Sequence, residues 1–285
     1  MPDTCALTAP NLFIDGENGI RYAYRRFGAP RPSTVPLILL QHFRGKLDNW
    51  DPAFVGPIAE EREVILLDNE GVGGSSGTAP STVAEMATGA LAFIDALRLN
   101  TYDLLGFSLG GFAAQEIALT RPHQVRRMIL TGSDSEGGRG FHHVTGEVGE
   151  TARRDEPGAE DLLTLFLEHF QAASQEKEGE FVRRLFTRHN DREEPTDLAT
   201  RHTQLAAVSR CCIPDNSRLG RLAAIKQPAL AANGNHDVMT PTENTYLLGG
   251  HLPNAQVAIY PDVGHGFLFQ HPSEFSAEVN SFLDA

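Results

Sequence analysis

The chain has 285 residues, 41% hydrophobic and 21% charged, which is ordinary for a globular protein and long enough for a large buried core in one domain or two small ones. Its 24 Lys and Arg stand against 37 Asp and Glu, a formal net charge of −13, which excludes nucleic acid and anionic membranes as partners held by bulk electrostatics. No stretch approaches the roughly 20 apolar residues of a spanning helix, Met1–Cys5 shows no secretory leader, and the three cysteines form neither a disulfide framework nor a CxxC metal site, so a cytoplasmic protein is expected; with no P-loop, dinucleotide fingerprint or histidine pair at zincin spacing, no cofactor or metal is expected.

Asn11–Asp15 and Ile20–Phe27 read as two strands around the turn Gly16–Gly19, with larger apolar residues alternating at Ile20, Tyr22 and Tyr24. After a proline-rich connection, the continuous apolar run Leu37–Leu40 has the character of a parallel strand buried on both faces. Asp51–Glu61 is predicted helical with Pro52 in its first turn, Val64–Asp68 is the next buried strand, and Thr82–Leu97 repeats apolar residues at helical spacing. Tyr102–Phe107 is a strand that runs into Gly106-Phe107-Ser108-Leu109-Gly110, and a helical pattern follows at Phe112, Ala113 and Ile117. Val125–Thr131 is a further strand. Strands alternating with helices predict βαβ units, a parallel sheet, and reactive groups at the carboxyl ends of its strands.

The alternation stops after Asp134. Ser135–Gly149 is glycine-rich, Ala159–Gln171, Gly179–His189 and Asp197–Ser209 are predicted helical, and no buried strand returns before Pro228. Residues 135–210 are therefore expected to form a helical cap inserted into a core of residues 1–134 and 211–285. Phe141, Leu162, Phe166 and Phe170 either roof the site or pack the cap onto the core. Ala229–Ala232 and Gln256–Tyr260 resume the sheet, and Pro272–Leu283 closes the chain as a helix.

G-x-S-x-G occurs twice. Ser75, in Gly73–Gly77, follows a glycine loop and precedes Pro80, so it is assigned to a loop. Ser108 stands between strand and helix, where glycines permit a sharp turn and the helix start offers unpaired N–H groups, the setting of an acyl-transfer nucleophile. A serine hydroxyl needs a positioned base, and the base needs a third group that fixes its tautomer. Among eleven histidines, His265 lies in a loop just past the last strand, and Asp237 lies just past the strand before it; Asp134 is the reserve acid. His42 and Arg44, after the Leu37–Leu40 strand, are candidates for lining the site, and Arg44 either attracts a substrate carboxylate or pairs with a surface acid.

The elbow at Ser108, with Asp237 and then Gly264-His265-Gly266 following in the order Ser, Asp, His, resembles the α/β-hydrolase superfamily of esterase, lactonase and haloperoxidase-like type with a helical cap. The resemblance implies an α/β-hydrolase fold with a mostly parallel central sheet, and Ser108 as nucleophile, Asp237 as acid and His265 as base. It places the oxyanion donors at the backbone N–H groups of Phe43 and Leu109, although Gln41-His42-Phe43 replaces the family's His-Gly pattern and Glu70 replaces a frequent arginine. It implies a small-molecule ester or lactone as substrate, and leaves a homodimer open. Perhydrolysis, C–C bond hydrolysis or acyl transfer on the same triad, and ligand binding without turnover, are the alternatives.

Overall fold

The computed structural model describes residues 6–32, 34–138, 146–152, 154, 159–166 and 172–285. In chain order the elements are β1 (Leu12–Asp15), β2 (Arg21–Gly28), β3 (Leu37–Leu40), α1 (Pro52–Glu61), β4 (Glu63–Leu67), α2 (Val83–Ala96), β5 (Tyr102–Phe107), α3 (Leu109–Thr120) and β6 (Val125–Thr131). There follow α4 (Gly146–Ala152), α5 (Ala159–Phe166), α6 (Ala172–Leu185), α7 (Leu198–Cys211) and α8 (Asn216–Gly220). The chain ends with β7 (Ala229–Gly234), α9 (Thr242–His251), β8 (Ala255–Tyr260), α10 (Phe267–Gln270) and α11 (Pro272–Asp284).

The eight strands form one sheet in the order β1-β2-β4-β3-β5-β6-β7-β8. The first two form the expected hairpin, with Leu12 opposite Tyr24, and β2 runs antiparallel to β4. Every pairing from β4 across to β8 is parallel. The apolar strands divide their residues between two cores because side chains alternate along a strand. Leu37, Leu39, Val64, Leu66, Leu105 and Phe107 face one side, where they meet Trp50 and Phe54 near α1 and Phe275 of α11. Ile38, Leu40, Ile65, Leu67 and Leu104 face the other, against Phe93 of α2 and Ile117 of α3. Burial on both faces is why these strands read as unbroken apolar runs.

Helix boundaries in the core agree with the sequence pattern to within a residue or two, helped by capping: Asp51 accepts from the Ala53 N–H before α1, and Thr82 from the Glu85 N–H before α2. The insertion departs further. Helix α6 starts at Ala172 and ends at Leu185, against the expected Gly179–His189, so His189 lies beyond it and is exposed. Helices α4, α8 and α9 were not anticipated; α9 carries no long apolar stripe, only Asn244, Thr245 and Leu248 being buried. Phe141, His142, His143 and Phe170 lie outside the described residues. No helix among the described residues is long and apolar enough to cross a membrane.

Candidate active site

The β5–α3 connection is a junction with no room for side chains on its glycines. A Cβ at Gly106 would sit 2.3 Å from the Gly110 carbonyl oxygen, and one at Gly110 would sit 2.1 Å from the Leu40 carbonyl oxygen. The helix thus lies directly on β5 and β3, and the chain must reverse within one residue. That residue is Ser108, with φ 53° and ψ −117°. A side-chain-bearing residue in this region stores on the order of 1–3 kcal/mol of strain and needs its surroundings to hold it. Here the Ser108 N–H donates to the Thr131 carbonyl at 2.9 Å, and Ser133 Oγ donates to the Ser108 carbonyl at 2.8 Å. The serine caps no backbone group of α3, and it lines a cavity of about 370 Å³.

His265 lines the same cavity. Its ring is 1% exposed, and its Nδ1 lies 2.8 Å from Asp237 Oδ2. Asp237 is itself fixed: Oδ1 accepts the N–H groups of Met239 and Thr240, at 2.8 and 2.9 Å. Thr240 Oγ1 donates to Asp237 Oδ2 at 2.5 Å and stands 3.3 Å from His265 Nδ1. With Nδ1 turned to Asp237, Nε2 faces away from it, buried and without a hydrogen-bond partner. The orphaned Nε2 and Ser108 thus share one cavity, the arrangement that a proton-accepting base next to a hydroxyl requires. Thr240 escaped the sequence reading, although an Asp followed by Thr three residues later is a turn signal.

Asp134, the reserve acid, is also buried, but Oδ1 accepts from the Ser135 N–H at 2.6 Å and Oδ2 from Asn244 at 2.8 Å. Burial pushes its pKa up to about 7, partly offset by the Ser135 bonds. It lines a smaller pocket together with Ser108, Leu109 and Cys212.

Leu109 is the first residue of α3, so its N–H belongs to the first turn, whose donors have no partner inside the helix. Phe43 lines the cavity opposite, in the loop after β3. That loop is braced by side-chain hydrogen bonds. Gln41 accepts the His42 N–H on Oε1 and donates to the Lys46 carbonyl from Nε2, at 3.1 and 2.6 Å. Arg44 takes the left-handed φ of 62°, and Gln204 on α7 accepts its N–H at 2.7 Å. His42 is buried with Nδ1 2.8 Å from the Phe43 carbonyl, and its ring lies 4.9 Å from Phe166. Burial draws its pKa down to about 4, with the His265 charge acting in the same direction, so the ring is neutral near pH 7.

Helix α5 contributes to the lining of the cavity. Leu162, Leu165 and Phe166 of α5 line it, so two of the four aromatic and aliphatic candidates for a roof face the site. Phe166 also accepts the Gly266 N–H at 2.6 Å on its carbonyl and stacks its ring on His265, centroids 6.2 Å apart. Arg44 lines the cavity, with its guanidinium donating to the carbonyls of Arg154 at 2.8 Å and Thr196 at 3.1 Å. No group of three or more His, Cys, Asp or Glu among the described residues could hold a metal ion. His236 and Asp262 lie on the exposed side of the same loops, 3.8 Å apart.

Sheet order, elbow and acid–histidine pair define an α/β protein with a serine at the carboxyl end of its central parallel strand. Residues 35–272 match the family model described as alpha/beta hydrolase fold, and the chain belongs to that family. An alpha/beta hydrolase fold protein from Chitinophaga pinensis superposes with a TM-score of 0.89 at 38% identity, covering 99% of both chains. A putative carbamate hydrolase, RutD, of a Caulobacter species is 27% identical over 90% of this chain and 93% of its own length. A pimeloyl-[acyl-carrier protein] methyl ester esterase of Nitrosomonas europaea is 25% identical, covering 84% of this chain and 92% of its own.

Proposed function

We propose that this protein is a serine hydrolase that cleaves a carboxylic ester or lactone of a small to medium, partly apolar substrate through an acyl-Ser108 intermediate. The observation that carries this reading is the buried 2.8 Å contact between His265 Nδ1 and Asp237, which leaves Nε2 without a partner in the cavity that Ser108 lines. As Ser108 Oγ attacks the carbonyl carbon, His265 Nε2 takes its proton, and the negative charge of Asp237 stabilises the imidazolium. The N–H groups of Phe43 and Leu109 receive the oxyanion, where one donor is worth ~10²–10³ in rate. The alcohol leaves with the proton from His265. Water then attacks the acyl-serine, giving its proton to Nε2, and the acid departs as the Ser108 hydroxyl re-forms. A family relative named as a methyl ester esterase supports the choice of an ester.

The test is p-nitrophenyl ester turnover and covalent labelling by a fluorophosphonate, in the wild type and in Ser108→Ala. Wild type is expected to turn over ester and to take one label, while Ser108→Ala loses both, with turnover down at least ~10⁴-fold. Equal labelling of the two proteins overturns the assignment.

A further inference from the structure

Two cavities meet at Ser108. The larger, of about 370 Å³, has His42, Leu162, Phe166 and His265 in its lining. The smaller, of about 20 Å³, has Leu109, Phe112, Asp134, Val208, Cys212 and Thr240 around it. Phe43, Ser108 and Met239 border both. His265 borders the larger one alone.

Every residue around the smaller cavity is buried except Phe43, which is half-buried. Leu109 and Phe112 come from the first turn of α3, Val208 from the last turn of α7, and Cys212 follows α7 directly. These four pack as one apolar cluster with Val83 and Met86 of α2, so the space cannot widen freely. The polar groups around it are engaged elsewhere. Asp134 accepts from the Ser135 N–H and from Asn244, and Thr240 Oγ1 donates to Asp237. A space of this size takes about one or two water-sized groups.

Ester cleavage by Ser108 gives each space a different tenant. The tetrahedral carbon bonded to Oγ carries three further groups: the oxyanion, the leaving oxygen and the acyl carbon chain. The oxyanion takes the N–H groups of Phe43 and Leu109. The leaving oxygen must come within reach of His265 Nε2 to collect its proton, so it lies on the side of the larger cavity. The group left for the recess beside Leu109 is the acyl chain.

We propose that the substrate is an open-chain ester of a short acid, acetyl or propionyl, whose acyl chain enters the recess bordered by Leu109, Phe112 and Val208 while the alcohol part lies in the larger cavity. This rests on the ester-hydrolase reading above and names the substrate class of the same site. The methyl or ethyl group of such an acid matches the recess, and a longer chain meets packed side chains that resist displacement. A lactone is disfavoured, because its ring ties the acyl chain to the leaving oxygen and holds both on the His265 side. The larger cavity accommodates a bulky, partly apolar alcohol.

The experiment measures kcat/KM for the p-nitrophenyl esters of acetate, propionate, butyrate and hexanoate, each divided by its spontaneous rate of hydrolysis. Wild type is expected to favour acetate or propionate over hexanoate by at least about tenfold. Val208→Ala, which opens the recess, is expected to raise the butyrate-to-acetate ratio about tenfold, and Val208→Leu, which fills it, to lower that ratio about threefold. A loosened fold does not move one ratio in opposite directions. Labelling by methanesulfonyl and hexanesulfonyl fluoride, read by intact mass, ranks the acyl side with no alcohol present, and the methyl reagent is expected to react faster by about tenfold. A wild type that favours hexanoate or the hexyl reagent overturns the proposal, as does a butyrate ratio that stays put or shifts the same way in both variants, and the hydrolase reading then stands. A wild type that turns over no ester and takes neither label overturns the hydrolase reading, and the short-acyl proposal with it.

Discussion

Ser75 lies in the glycine loop after β4, where its Oγ donates to the Asp68 carbonyl at 2.8 Å and accepts the Ala23 N–H at 2.9 Å. Ser108 lies between β5 and α3, where its side chain caps nothing and lines the cavity that holds His265. Both stand in G-x-S-x-G, so the five residues do not decide what the hydroxyl does. Backbone conformation does. In the Ser75 loop the positive φ angles fall on Gly71, Gly73 and Gly77, at 70°, 53° and 89°, and the serine lies relaxed between them. At the elbow the positive φ falls on the serine itself, at 53°, because Gly106 and Gly110 are pressed against neighbouring backbone and the chain has one residue in which to turn. One serine is built into the backbone and the other is left facing open space.

The comparison breaks first if Ser108 works without its partners. Asp237→Asn is expected to keep the fold and to lower kcat for a p-nitrophenyl ester by ~10³–10⁴, because an amide no longer fixes the tautomer of His265 or stabilises its positive charge. Steady-state kinetics with a circular-dichroism check of folding reads this out, and a loss below about tenfold would mean that Ser108 draws on another acid, Asp134 being the buried carboxyl next to it.

Ser75→Ala sharpens the other side. It strips partners from a buried N–H and a buried carbonyl, so urea unfolding is expected to show a loss of about 1–3 kcal/mol. Fluorophosphonate labelling should stay complete, since no reacting group is touched. Labelling that disappears with Ser75 would reverse the two roles.

The smallest effect is a pH dependence confined to the Ser75 loop. Asp68 Oδ2 accepts the Gly74 N–H at 3.0 Å, and the side chain holds its proton well above the ordinary value of 3.8 because it is buried against Glu193. The folded chain therefore keeps a proton that the unfolded chain releases. The stability from this group is full below about pH 4 and is lost as pH rises through the folded value. Asp68→Asn, whose amide can donate to Glu193 as the protonated acid does, is expected to flatten that part of the profile of unfolding free energy against pH. A wild-type profile that rises over the same range contradicts the raised Asp68 pKa.

The core was legible in the chain because its physics is local. Tyr102–Phe107 and Val125–Thr131 are strands with the bounds expected from their apolar runs, since burial on both faces favours apolar residues, and the buried Asp103 is admitted by its ion pair with Arg126. The inserted region was less legible. Helix α6 is displaced from its predicted span, and its mean composition is polar, so little in its own sequence marks where it starts. Thr240, Gln41 and Gln204 went unnoticed because their value lies in what they touch across the fold: Gln204 meets the Arg44 N–H from 160 positions away.

The sequence by itself determined the alternation of strand and helix, the elbow glycines around Ser108, and the order of Ser108, Asp237 and His265, because each is written in periodicity or in a turn that only certain residues can make. Only the tertiary structure decided that His265 Nδ1 meets Asp237 while Nε2 is left without a partner, that Phe166 stacks on the histidine, and that Thr240 braces the acid. These depend on residues far apart in the chain brought within a few ångströms, and on the direction of side chains once there. No local pattern carries that information.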